Sequence, residues 1–77
     1  MKVMYIVRVE HDGDYTDEEL ELLVRRGVSG AGTDLMSGRR DMEWEFKTRR
    51  GATNAFTKLS RKRKLSGLTM EKDYYSE

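Results

Sequence analysis

Arg49 and Arg50 open the stretch KTRRGATNAF, residues 47–56, whose apolar positions recur at helical spacing. A guanidinium offers a planar fork of donors that matches a phosphate or carboxylate. The free N–H groups at a helix start also attract anions. Gly51, lacking a side chain, would let such an anion approach the backbone. Without a ligand the arrangement is unfavourable, because the positive end of the helix dipole repels both arginines. The plainer alternative ends a strand at Arg49, leaves Arg50 in water and caps the helix with Thr53. The same segment closes on Arg61, Lys62, Arg63 and Lys64. That run suits either a solvated helix C-terminus or a nucleic-acid patch. Arg39 and Arg40, beside a hairpin turn, are weaker candidates for the same anion-binding surface.

Other chemistry finds little support. Glu10, His11, Asp12 and Asp14 cluster in EHDGD. Counted from Asp12, a calcium loop would place Leu23 where a bidentate glutamate is needed, so a solvated turn is expected there and no metal. The five serines have no general base beside them, and no paired carboxylates sit in an apolar run. The stretch GVSGAG follows a helical pattern instead of opening one, so it reads as a helix stop and loose loop and not as a dinucleotide fingerprint. Cysteine is absent, which excludes disulfides and thiolate chemistry. A non-enzymatic protein without a cofactor is expected.

Charge is unevenly spread. Residues 1–38 carry net −4, residues 39–64 net +7 and residues 65–77 net −2, within an overall charge of +1. The length, 77 residues, suits one small domain over 1–77 with frayed last residues. No apolar run is long enough to span a bilayer and no signal peptide is evident, so the expected setting is cytoplasmic and away from membranes.

Six elements follow from periodicity. MKVMYIVRVEH alternates as a strand, with Val3, Tyr5, Val7 and Val9 on one face. YTDEELELLVRRG is a helix: Thr16 and Glu19 form a capping box, Leu20, Leu23 and Val24 make its apolar stripe, and Gly27 suits its stop. Glu21 sits four residues before Arg25 on its wet side. TDLMSGRRDMEWEFKT is a hairpin turning near Ser37–Gly38. Its second arm sets Met42, Trp44 and Phe46 against Glu43, Glu45 and Lys47. A second helix is expected over about 51–63, with Phe56 beside Trp44, and a last strand in SGLTMEKDYY. This order resembles the ferredoxin-like βαββαβ plan, an α+β four-stranded antiparallel sheet with two helices on one face. The plan serves many unrelated functions.

RNA-recognition domains of this topology display aromatics on the open sheet face. Here that face would show Glu43 and Glu45, which disfavours a sheet-based RNA reader. Met4 and Ile6 would share the open face, giving a second reading in which the chain is a protein–protein module that dimerises there. The favoured reading is docking of the basic 39–64 segment on nucleic acid, a nucleoprotein or an acidic protein surface. In size, charge density and lack of cysteine and proline, the chain resembles small phage accessory proteins that bind host machinery, including anti-CRISPR and host-takeover proteins. That resemblance implies an inhibitor.

Overall fold

The computed structural model describes residues 2–75. The expected fraying beyond Tyr75 falls outside the described residues. Six elements follow in order: β1 (Lys2–His11), α1 (Asp17–Val24), β2 (Gly30–Thr33), β3 (Arg40–Phe46), α2 (Arg49–Ser60) and β4 (Ser66–Tyr75). The strands form one antiparallel sheet in the order β2-β3-β1-β4, and both helices pack on one face. This is the α+β ferredoxin-like arrangement.

Period-two alternation builds the core. Val7 lies opposite Trp44 and Val9 opposite Met42. All four are buried with Leu20, Val24, Ala52, Ala55 and Leu59. Small residues let α2 lie close to the sheet. A Cβ built on Gly51 would come within 3.3 Å of the Phe46 ring and 3.2 Å of Thr48 Oγ1. The glycine therefore answers to packing against Phe46. Phe56, expected beside Trp44, is only half-buried and stands outside the core cluster.

The capping box of α1 forms as expected. Glu19 N–H donates to Thr16 Oγ1 at 3.1 Å, and Thr16 N–H donates to Glu19 Oε1 at 3.0 Å. The helix stops earlier than expected, at Val24, because Arg25 turns into the left-handed region with φ 61°. The carbonyl of Arg26 then accepts the Trp44 indole N–H at 2.9 Å. Glu21, expected on the wet side facing Arg25, is half-buried and accepts the Val28 N–H at 3.0 Å.

Two further boundaries move. β2 is GAGT, which the sequence pattern placed in a loose loop and a hairpin arm. Its residues bury little, and the backbone ladder to β3 holds them. In β4 the register against β1 shifts between Arg8 and Glu10. Gly67 takes φ 59° there, a left-handed backbone that favours glycine, and a Cβ on it would push the Glu10 carboxylate aside.

Trp44 carries the largest fully buried side chain. Trp44→Ala should cost about 3–5 kcal/mol, close to the whole stability of so small a domain. Trp44→Phe keeps most of the packing but leaves the Arg26 carbonyl without its donor, and should cost about 1–3 kcal/mol. Urea melts of both variants check the order. A Trp44→Ala protein that melts like wild type would mean that Trp44 is not the core.

Candidate polyanion-binding face

The cations expected to act together fall into three groups. Arg39 and Arg40 each hold ion pairs within the chain, Arg39 with Asp12 and Glu10 and Arg40 with Asp17. Arg39 Nη1 bonds Asp12 Oδ1 at 3.0 Å, and its Nη2 lies 3.9 Å from Glu10 and donates to Ser66 Oγ. Arg40 grips Asp17 with both prongs, Nε to Oδ1 at 2.7 Å and Nη2 to Oδ2 at 2.6 Å. Asp17 sits in the first turn of α1, so this fork ties β3 to the helix start. The hydrogen bond from Arg40 is the main reason the Asp17 carboxyl is held below its usual range, and the same bond raises Arg40.

Arg49 and Arg50 begin α2. The cap is Thr48 and not Thr53: Thr48 Oγ1 accepts the Gly51 N–H at 3.1 Å. No acid occupies the first turn. The two arginines diverge. Arg49 lines a hollow with Tyr5, Met70, Glu71 and Lys72 on the β4 side. Arg50 does not share that hollow and stands exposed. Gly51 is half-buried against Phe46, so its backbone is not the open approach that the sequence suggested.

Arg61, Lys62, Arg63 and Lys64 are exposed and follow the end of α2. They therefore lie at the opposite end from Arg49 and Arg50, about 18 Å along a helix of this length. One compact anion site cannot include both groups.

Between these ends lies a groove that the sequence pattern missed. Its walls are the C-terminal end of α1 and the flank of α2, and its volume is about 530 Å³. Arg25 and Arg26 line it from one side, Lys47 and Lys58 from the other, with Thr48 and Asn54. No carboxylate among the described residues lines it. The Arg26 guanidinium covers the Phe46 ring at 5.1 Å from its centroid. The four cations come from segments far apart in sequence, so a segmental charge count could not assemble them.

The open face of the sheet has the opposite character. Asp41, Glu43 and Glu45 share the face of Arg8, with Glu71 and Asp73 from β4. Arg8 bridges three strands, with Nε on Glu43 at 2.8 Å and Nη1 on Glu71 at 3.0 Å, and these bonds raise its pKa further. Ile6 lies between Glu45 and Glu71 in the ladder and is only 9% exposed, and Met4 is half-buried. The apolar surface expected there is therefore mostly covered.

Asp12, Gly13 and Asp14 of EHDGD form the exposed turn expected, but His11 is not part of it. His11 closes the inward alternation of β1 and is 1% exposed. Its Nδ1 accepts the Gly13 N–H at 3.0 Å, and the edge of Tyr15 meets it at 6.0 Å between centroids. Continuing the Val7, Val9 alternation by two residues was the signal for this burial. No described helix is long and apolar enough to cross a membrane. No protein-family model matches the chain, and no curated protein or solved structure matches it.

Two measurements separate structural from free cations. Asp17→Asn should lower the melting temperature at neutral pH. Because the Asp17 pKa is depressed, its stabilisation is complete above its unfolded pKa of about 3.9 and disappears as pH falls through the folded value. The gap between wild type and variant should therefore be constant from neutral pH down to about 5 and close in stronger acid. A gap independent of pH would deny the pair this role. By contrast, Arg49→Ala with Arg50→Ala should leave stability unchanged or raise it by about 0.3–1 kcal/mol per cation removed from the helix start, so the melting temperature should hold or rise. A clear fall in the melt would make these arginines structural.

Proposed function

We propose that this chain is a non-enzymatic binding protein that docks its helix face on a polyanionic partner. What supports the reading is the segregation of charge. Residues 47–64 carry eight bases and no acid. None of the eight has an ion pair among the described residues. The acids nearest in sequence, Asp41, Glu43 and Glu45, point to the other side of the sheet. Concentrated uncompensated cations destabilise an isolated domain by self-repulsion, and a polyanion removes that cost.

Arg50, Lys58 and the run from Arg61 to Lys64 form the docking face, with Arg49 at its β4 border. Nucleic acid, alone or in a nucleoprotein, is the partner in this reading, and the cytoplasm its setting. A small protein seated on such a partner obstructs other proteins from it. That is the action of a phage-type inhibitor of host machinery.

Binding of a fluorescent oligonucleotide, followed by anisotropy across a salt series, tests this. The log–log slope of affinity against salt should be steep. Replacing Arg61, Lys62, Arg63 and Lys64 by alanine should reduce the slope by nearly one unit for each phosphate that the variant no longer neutralises. An acidic polypeptide that binds as tightly, or a slope that the substitutions leave unchanged, would refute a phosphate-backbone partner.

A further inference from the structure

We infer that the groove between the end of α1 and the flank of α2 holds the phosphodiester backbone of a single nucleic-acid strand, an assignment that rests on the proposed polyanion docking. Four cations converge there, and two neutral side chains, Thr48 and Asn54, add hydrogen-bonding groups. Thr48 Oγ1 already accepts the Gly51 N–H, so its own hydrogen remains to donate. A phosphate needs such a mixture of charge and directed donors.

Two features of the walls mark the groove as more than a gap between helices. Arg25 holds φ 61°, the one described residue other than glycine with positive φ. Left-handed backbone disfavours a residue with a Cβ, and Gly27 follows two positions later where the reversal would come cheaply. The early stop places Arg25 and Arg26 together at the groove's edge. Strain of this kind gathers at binding sites. On the opposite wall, Gly51 lets α2 press directly on Phe46 and Thr48, since a Cβ there would come within 3.3 Å of both.

The groove's apolar lining explains why nucleic acid is favoured over an acidic protein. Val24, Phe46 and Ala55 are core residues with 7%, 7% and 2% exposure. They offer almost no apolar surface of the kind that anchors a protein partner. Arg26 already covers Phe46, so no base can stack on that face of the ring, and recognition is of the backbone and insensitive to sequence. A groove walled on both sides admits one strand, whereas a duplex would rest on its rim. Beyond the groove, the exposed cations from Arg61 to Lys64 continue the path for further phosphates.

The test compares wild type with Arg25→Gly, Lys58→Ala and the alanine variant of residues 61–64. Each is titrated with labelled oligodeoxythymidylate, the duplex of equal length, and polyglutamate. Thermal melts accompany every titration. Arg25→Gly should melt at or above the wild-type temperature, because glycine relaxes the left-handed residue, yet bind the single strand about tenfold more weakly. Lys58→Ala should show a similar loss. If wild type binds the strand but both groove variants bind equally well, the groove is overturned while docking through residues 61–64 stands. If wild type binds no polyanion, the docking reading fails, and the groove with it. A duplex bound more tightly than the strand overturns the single-strand assignment. Polyglutamate bound as tightly, and weakened by the same substitutions, overturns the phosphate in favour of carboxylates.

Discussion

The bond from the Trp44 indole N–H to the Arg26 carbonyl fixes the relation between the two layers. Trp44 is fully buried, and an indole N–H left without an acceptor there would cost about 1–3 kcal/mol. The chain just past α1 therefore has to come down over β3. That placement sets Arg26 over Phe46 and brings Arg25 to the edge of the groove. α2 completes the arrangement because Gly51, Ala52 and Ala55 let it settle close to the sheet. The packing of one large aromatic residue thus positions both walls of the groove.

The same strand also separates the charges. In β3, Met42, Trp44 and Phe46 turn inward, which sends Asp41, Glu43 and Glu45 to the open face. Arg8 is held there between Glu43 and Glu71. Arg39 and Arg40 reach back to acids at the end of β1 and the start of α1. The segment's acids and its two hairpin arginines are accounted for in this way. What remains on the helix side is positive from Lys47 to Lys64. Pairs as exposed as those of Arg8 contribute little stability. Their effect is to settle which cations stay available.

The fold was legible where local rules act alone. The capping box of Thr16 and Glu19 and the alternation in β1 and β3 depend on neighbours within a few residues. β2 was not legible, since Gly30-Ala31-Gly32-Thr33 has no apolar pattern and exists through its ladder to β3. The stop of α1 was misplaced because Arg25 adopts a conformation that composition assigns to Gly27. The candidate site was harder still. Arg39 and Arg40 count as bases in any segmental sum, yet Asp12 and Asp17, which hold them, lie more than twenty positions away. The groove joins Arg25 and Arg26 to Lys47 and Lys58, a juxtaposition that only the folded topology creates. Arg49 and Arg50 drew attention through their conflict with the helix dipole, and the fold sends them apart.

Segregated charge as the basis of binding can be read directly from the lysines. Acetylation rates measured by mass spectrometry, with and without a saturating oligonucleotide, report which ammonium groups the partner covers. Lys47, Lys58, Lys62 and Lys64 should be slowed together, while Lys2 at the start of β1 should react at the same rate in both samples. Protection of Lys2 with no slowing of the four helix-side lysines would contradict the account.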